Sequence, residues 1–172
     1  MRLGKELIGK PVYSMTDGRL LGNVKDLYID KDLELLNGVY LGSEGLINRK
    51  PLLIARRNIQ VFGIDAILAK SSDVVTDDDE AVEVEHWLRR EDLQKREIDT
   101  PGGTKVGTIG DILLDEEAKI VGFSLGRVFV EGPVAKNRMI MKAAVLDTGR
   151  DDGVMTIDLS KAEQTSPDKQ EG

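Results

Sequence analysis

The feature that most constrains how this chain folds is an internal repeat. Asp17–Gly42 reads DGRLLGNVKDLYIDKDLELLNGVYLG, and Gly102–Gly126 reads GGTKVGTIGDILLDEEAKIVGFSLG. Glycines, acidic residues and aliphatic residues recur at matching places, and Gly22 matches Gly107, 85 residues later. Because a repeat of this length is a structural unit, two copies predict two small domains that share one fold.

Both copies have the pattern of β-strands. Short aliphatic runs bounded by Gly, Asp and Asn are typical of strands with tight turns between them. The apolar phase slips at Lys25–Asp26 and again at Gly110–Asp111, which predicts a β-bulge at each place. Val61–Ala69 and Val154–Leu159 are predicted as the last strands, and Glu85–Gln94 is the best helix candidate.

Composition excludes several kinds of site. The 172 residues contain no cysteine and one histidine, His86, so thiolate chemistry and multi-histidine metal sites are excluded within one chain. The net charge of −7 disfavours nucleic acid and anionic membrane surfaces as partners. No apolar run reaches the roughly 20 residues that a membrane span needs, and the first residues lack a secretory core, so we expect a cytoplasmic protein.

The motifs GRLLGNVKDLYID…LLNGVYLG and TKVGTIGDILLDEEAKIVGFSLG resemble the PRC-barrel family. The resemblance implies an all-β protein of two small PRC-barrel-like β-barrels in tandem, related by a pseudo-twofold, with little helix. The predicted domains are residues 1–76 and 93–164. A linker with a short helix covers 77–92, and a disordered tail covers 165–172.

The resemblance also directs the functional prediction. Related domains form the cytoplasmic part of the photosynthetic reaction centre H subunit and the C-terminal domain of a bacterial ribosome-maturation factor, and their shared property is protein contact. We therefore predict a non-enzymatic adaptor that binds another protein, with no cofactor. One alternative is a small-ligand or metal-responsive regulator with an acidic cleft between the lobes. Another is a photosynthetic electron-transfer accessory protein. A homodimer through an exposed strand edge stays open.

Two basic groups are the candidate partner-binding residues, because arginine is enriched at protein interfaces and pairs with carboxylates. The first group contains Arg49, Arg56 and Arg57, and the second contains Arg89 and Arg90. The alternative is a solvated surface.

The carboxylates are predicted to be structural. Asp26 and Asp111 occupy matching places at the two predicted bulges, where they accept hydrogen bonds from unpaired amides or, in the alternative, handle protons. The acidic run Asp77–Glu80 is predicted as a solvated loop rather than a metal site, and Gly102–Gly107 as a turn rather than a phosphate loop. No catalytic and no metal-ligating residue is predicted.

Two apolar features complete the expectations. Trp87 is expected to pack against one barrel. Val128–Val130, together with Met139 and Met141, is expected to be mostly core, and any part of it that is exposed would mark an interface.

Overall fold

The computed structural model describes residues 1–45 and 49–167. Strands account for 46% and helices for 21% of these described residues, which confirms the predicted all-β fold. The strands are β1 (Arg2–Leu3), β2 (Pro11–Ser14), β3 (Leu20–Asn23), β4 (Asp26–Asp30), β5 (Leu36–Glu44), β6 (Lys50–Ala55), β7 (Ile59–Phe62), β8 (Ile67–Ala69), β9 (Thr76–Asp77), β10 (Trp87–Arg89), β11 (Glu97–Asp99), β12 (Lys105–Leu114), β13 (Ile120–Val128), β14 (Met139–Met141), β15 (Val145–Asp147) and β16 (Val154–Ile157). The α-helices are α1 (Arg90–Leu93), α2 (Pro133–Asn137) and α3 (Leu159–Thr165), and the 3-10 turns are Gly4–Leu7, Arg56–Asn58, Ser72–Val74, Val82–His86 and Lys142–Ala144.

The chain divides into two compact units. The N-terminal unit contains the described part of Gly4–Glu91 together with Glu116–Lys119. The C-terminal unit contains Met1–Leu3, Asp92–Asp115 and the described residues from Ile120 onward. Each unit therefore includes a short segment from the other half of the sequence.

The N-terminal unit consists of two curled sheets. Four strands follow the order β3-β2-β8-β7, and five follow the order β10-β4-β5-β6-β9. Strands β2 and β8, which are the first and last long strands of the repeat and neighbours in the four-stranded sheet, run parallel. The other paired strands of this unit are antiparallel. The interior is aliphatic and includes Val12, Val39, Ile54 and Ile67, all fully buried.

The C-terminal unit has the same succession of strands. Its sheet follows the order β14-β13-β12-β11-β16-β15, with β1 paired to β12. Here too the first strand of the repeat, β11, runs parallel to the last, β16. The buried residues at the matching inner positions are Ile98, Phe123, Ile140 and Met155.

The predicted phase slips correspond to irregular strand pairing. In β12 the register shifts between Ile109 and Asp111. An added Cβ at Gly110 would lie 3.0 Å from the amide nitrogen of Gly126, so the crossing strands favour glycine there. In the N-terminal unit the same stretch is two strands, separated at Val24–Lys25, where the chain stops pairing with β2 and begins pairing with β5.

The predicted strand Val61–Ala69 is wrong as one element, because β7 and β8 form a hairpin within this region. An added Cβ at Gly63 would lie 2.5 Å from the carbonyl oxygen of Ala66, so the turn requires the close approach that glycine allows. An apolar run alone does not reveal such a turn.

The predicted strand Val154–Leu159 is two residues too long. Asp158 follows β16 and accepts a hydrogen bond from the amide of Lys161 at 3.1 Å, which caps helix α3. Leu159 therefore begins a helix instead of ending a strand, since an aspartate cap stabilises a helix start.

The region 85–94 is not one helix. Only its end, α1, is α-helical, whereas β10 pairs with β4 in the N-terminal unit. The side chains of β10 pack into that unit, and this tertiary packing outweighs the local helix propensity. Of the tail 165–172, Thr165 ends α3, and residues 168–172 lie outside the described residues. Within the described chain, no helix has both the length and the apolar character needed to cross a membrane.

Candidate functional site

The outer face of the four-stranded sheet carries an apolar row with one residue from each strand. Tyr13 on β2 pairs with Leu20 on β3 and with Leu68 on β8, and Leu68 pairs with Val61 on β7. Residues opposite one another in neighbouring strands project to the same face of a sheet. The four side chains Leu20, Tyr13, Leu68 and Val61 are called the apolar row below.

The apolar row faces solvent. Leu20 is 58% exposed, Val61 is 42% exposed and Tyr13 is 37% exposed, while Leu68 is half-buried. The residue before Tyr13, Val12, is fully buried, as strand alternation requires when the other face forms the core. Single exposed apolar residues are ordinary, but a contiguous line across four strands is typical of an interaction surface.

The surroundings of the row include polar residues and, beyond the ends of β2 and β7, the exposed apolar residues Met15 and Ile64. Asn23, Gln60 and Lys70 are exposed on the same sheet or at its strand ends. Asp17 accepts hydrogen bonds from the Ser72 hydroxyl at 2.7 Å and from the amide of Arg19 at 3.1 Å. These hydrogen bonds lower the pKa of Asp17, so a carboxylate lies beside the Arg19 cation.

The matching positions of the C-terminal unit form a polar row. Asp99 pairs with Lys105 and with Thr156, and Thr156 pairs with Asp147. The Thr156 hydroxyl donates a hydrogen bond to Asp99 at 2.9 Å. Lys105, Asp99, Thr156 and Asp147 are called the polar row below.

A cleft of about 540 Å³ lies beside the polar row in the C-terminal unit. Its lining includes Glu97, Asp99, Lys105 and Phe129. Phe129 is 58% exposed, so the expectation that this apolar segment belongs to the core is wrong for this residue. It follows strand β13, where the chain leaves the sheet.

Arg56, a predicted partner-binding residue, is engaged within the N-terminal unit. Its guanidinium donates hydrogen bonds to the carbonyl oxygens of Leu36 at 3.1 Å and Ala118 at 2.9 Å, and also to that of Glu117. The guanidinium carbon lies 5.9 Å from the centre of the Phe62 ring. Arg56 thus holds the 116–119 turn in place.

Arg89 is similarly engaged. Its Nε donates to the buried carboxylate of Asp26 at 3.2 Å, and its guanidinium lies 4.0 Å from the centre of the Tyr40 ring. Burial lowers the pKa of Arg89. The hydrogen bond with Asp26 and the charge of Glu91 raise the pKa by a larger amount, so its net shift is upward. Asp26 also accepts a hydrogen bond from the amide of Leu27 at 2.9 Å.

Asp111 has the matching geometry in the C-terminal unit. It is 5% exposed and accepts a hydrogen bond from the amide of Ile112 at 2.7 Å. Asp26 and Asp111 therefore each accept a hydrogen bond from the amide of the next residue, and a structural role for both carboxylates stays a prediction.

The other three candidate arginines have separate surroundings. Arg57 is exposed and forms an ion pair with Glu83 at 2.6 Å. Arg49 is exposed before β6, and Arg90 is half-buried at the start of α1. Arg56, Arg57 and Arg89 are therefore each paired with groups of the N-terminal unit.

The acidic run Asp77–Glu80 forms a hydrogen-bonded turn. The Asp77 carboxylate accepts from the amides of Asp79 and Glu80, both at 3.1 Å, and Lys50 forms an ion pair with Asp79. Among the residues that the structure describes, no group of three or more His, Asp or Glu side chains could hold a metal ion.

The Trp87 side chain packs as expected against the N-terminal unit. Its ring lies 5.8 Å from that of Tyr28, and Tyr28 makes an edge contact with Tyr40 at 6.1 Å. Burial raises the pKa of Tyr28 to about 12. These aromatic side chains form a small core next to the Asp26–Arg89 pair.

The apolar row was missed by the sequence analysis, although a signal exists. A sheet with one buried face alternates apolar and polar residues. Val12–Tyr13, Leu20–Leu21 and Ile67–Leu68 instead place apolar residues on both faces of short strands. The pairing register was needed to show that the outward members align.

A family model described as PRC-barrel domain matches residues 1–82. A search among curated proteins finds no match for the chain.

Proposed function

Because residues 1–82 match the PRC-barrel domain family, we propose that the chain is a non-enzymatic interaction module that binds another protein through the apolar row. The family indicates an interaction or assembly role in general terms. The apolar row is the observation that carries the proposal to a particular surface, since it lies within the matched residues.

We further propose that the C-terminal unit is a second PRC-barrel-like domain. It has the same parallel pairing of first and last strands, and its inner residues match those of the N-terminal unit. Its polar row gives it a different outer surface. The chain would then carry one apolar docking face and one solvated face.

The polar clusters support binding over chemistry. The side chains of Asp26, Arg89 and Arg56 form hydrogen bonds within the N-terminal unit, which supports a role for them in stabilising its fold. An apolar face needs no such groups to bind a partner, because burial of apolar surface drives association.

The proposal is tested by giving the apolar row the chemistry of the polar row. A variant with Leu20→Lys, Tyr13→Asp, Leu68→Thr and Val61→Asp changes only outward side chains. We expect affinity capture from a lysate of the source cells to recover a specific protein with the unmodified chain. With the variant, recovery of that protein should fall at least tenfold.

Lys25→Ala is the matched control, because it removes an exposed charge of the same unit and leaves the row unchanged. Near-ultraviolet circular dichroism and thermal melts verify that both variants are folded. Undiminished recovery by the row variant contradicts the proposal, as does failure of the unmodified chain to recover any specific protein.

A second candidate, a regulator that responds to a small ligand, is favoured by the cleft of the C-terminal unit. Its volume of about 540 Å³ lies within the range of small-molecule sites, and Phe129 and Glu97 offer apolar and charged contacts. Titration calorimetry with Ca²⁺, Mg²⁺ and common metabolites tests it, since a saturable heat lost on Phe129→Ala supports a ligand. A cytoplasmic location, a photosynthetic role and a homodimer stay predictions.

A further inference from the structure

We propose that the two halves of this chain, residues 1–78 and 79–172, are specific binding partners of each other because they exchange strands. They should therefore stay assembled as a one-to-one complex when the chain is cut between positions 78 and 79. This inference does not depend on the apolar row or on the proposed function.

The two repeats match upstream of the motifs that first reveal them. Gly9 and Lys95 are 86 residues apart, and both have a positive φ, 85° and 71°. The amide of Gly9 donates to the carbonyl oxygen of Val24 at 2.7 Å, and that of Lys95 donates to the carbonyl oxygen of Ile109 at 2.9 Å. The backbone thus follows the same path, so the short strands just upstream, β1 and β10, hold equivalent places in the two halves.

These two short strands are exchanged between the halves. Strand β1 of the first half pairs antiparallel with β12 of the second, with Leu3 opposite Leu113. Strand β10 of the second half pairs antiparallel with β4 of the first, with Arg89 opposite Tyr28. Because β4 and β12 are themselves matching strands, the exchange is reciprocal. A domain-swapped dimer has this arrangement between two chains.

The turn at Ala118 is a further piece that the second half supplies. Ala118 is fully buried, and it lies in the N-terminal unit. Its carbonyl oxygen accepts hydrogen bonds from the amide of Leu36 at 3.1 Å and from the guanidinium of Arg56 at 2.9 Å. Donors of the first half are therefore satisfied by an acceptor of the second half.

The side chains of the exchanged strands make the pairing specific. Arg89 on β10 donates to the buried carboxylate of Asp26 at 3.2 Å and lies 4.0 Å from the centre of the Tyr40 ring. Strand β1 carries Leu3 at the matching position, and a leucine can form neither contact. Two copies of the first half would leave the Asp26 carboxylate without the Arg89 cation, which disfavours that pairing.

The connection between the halves is exposed. Positions 78–80 face solvent, and the Lys50–Asp79 ion pair there is a surface pair, which stabilises a fold only weakly. Exposed turns of this kind are preferred sites of proteolytic cleavage. A cut between positions 78 and 79 therefore removes the covalent link and retains the exchanged contacts.

The inference is tested by inserting the recognition sequence of a specific protease between Asp78 and Asp79 of the full-length chain. The folded chain is purified, cut and compared with the uncut chain by size-exclusion chromatography. We expect both halves to elute together at the volume of the uncut chain.

A second measurement tests the specificity of the pairing. Cut chain labelled with nitrogen-15 is mixed with unlabelled cut chain in urea, the urea is removed, and native mass spectrometry identifies the complexes. We expect each complex to contain one first half and one second half, with labelled and unlabelled halves combined at random.

Variants show whether the exchanged strands hold the halves together. Trp87→Ala removes the ring that lies 5.8 Å from that of Tyr28, and deletion of Arg2–Leu3 removes β1. Val12→Ala is the matched control, because it weakens the core of the N-terminal unit on β2, outside the exchanged strands. Combining the first two changes should lower the affinity between the cut halves by about tenfold or more relative to the control.

Three results overturn the inference. The first is separation or precipitation of the unmodified halves after the cut, which is informative whether or not the variants fold. The second is recovery of complexes made of two identical halves. The third is an affinity between the cut halves that is the same in the exchanged-strand variant and in Val12→Ala.

Discussion

The apolar row of the N-terminal unit and the polar row of the C-terminal unit occupy matching positions in matching registers, yet their chemistry is opposite. Tyr13 corresponds to Asp99, while the buried residues beside them, Val12 and Ile98, are both aliphatic. The fold requires an apolar interior in both units but allows either chemistry outside. An apolar outer row is therefore not explained by folding, which is why we propose it as a binding surface.

The largest expected difference between the units lies at the matched glycines Gly107 and Gly22. An added Cβ at Gly107 would lie 2.1 Å from the carbonyl oxygen of Arg127, so Gly107→Ala forces two strands apart. We expect a loss of at least about 3 kcal/mol in the stability of the C-terminal unit. Amide hydrogen exchange measured unit by unit checks this.

Gly22→Ala is the matched control in the N-terminal unit. Its nearest neighbour, Leu41, is 3.7 Å away, so there is room for a methyl group, although the φ of +151° strains any other residue. A cost of about 1 kcal/mol is expected. Equal losses at the two glycines would show that the strand crossing is no tighter in the C-terminal unit.

The buried ion pair is the next difference. Asp26→Ala leaves the Arg89 cation and the amide of Leu27 without this carboxylate, and a loss of about 3 kcal/mol is expected for the N-terminal unit. Urea denaturation followed by the fluorescence of the single tryptophan, Trp87, reports on this unit.

A second substitution tests the Asp26–Arg89 pair by introducing at position 40 the residue found at the matching position of the C-terminal unit. Ser124 lies opposite Asp111 where Tyr40 lies opposite Asp26. Tyr40→Ser removes the ring beneath Arg89 and should cost about 1 to 2 kcal/mol. A negligible effect from both Asp26→Ala and Tyr40→Ser would show that the pair does not stabilise the unit.

Alkaline pH should destabilise the N-terminal unit selectively. The pKa of Tyr28 is raised to about 12 from 10.0, so the folded unit keeps the proton that the unfolded chain releases. Stability is complete below pH 10 and falls as pH rises from about 10 to 12, by up to about 2 kcal/mol. Urea titrations across this pH range measure the decline.

Tyr28→Phe is the control, because it retains the ring and removes the ionisable group. Leu113 occupies the corresponding position in the C-terminal unit and cannot titrate. If the Tyr28→Phe variant loses stability with the same slope, other groups cause the decline.

The smallest effect on stability is expected when the polar row is made apolar. The substitutions Lys105→Leu, Asp99→Tyr, Thr156→Leu and Asp147→Val should lower stability by about 1 kcal/mol, because the side chains project outward but the hydrogen bonds from Thr156 to Asp99 and from the amide of Gly149 to Asp147 are lost. Retention on a hydrophobic-interaction column should increase, and the reciprocal variant of the apolar row should elute earlier. Unchanged retention in both variants would mean that neither row is accessible.

The sequence was sufficient to predict the strands and the apolar interior of both repeats. It was insufficient to predict contacts between residues that are far apart in the chain. The repeat containing Gly22 and Gly107 predicted strands, phase slips and an all-β fold, because these depend on local periodicity. Arg56 finds its acceptor at Ala118, 62 residues away, and no local pattern indicates that contact. The apolar row is distributed over four strands, so it becomes visible only when their registers are known.

The exchange of short segments between the two halves of the sequence has a consequence for biosynthesis. Glu116–Lys119 belongs to the N-terminal unit and is bonded to Arg56 there. During translation, the first unit cannot acquire its last piece until part of the second repeat has been made. Its maturation is thereby tied to synthesis of the downstream half, and truncation after Glu91 would yield a domain lacking one of its own turns.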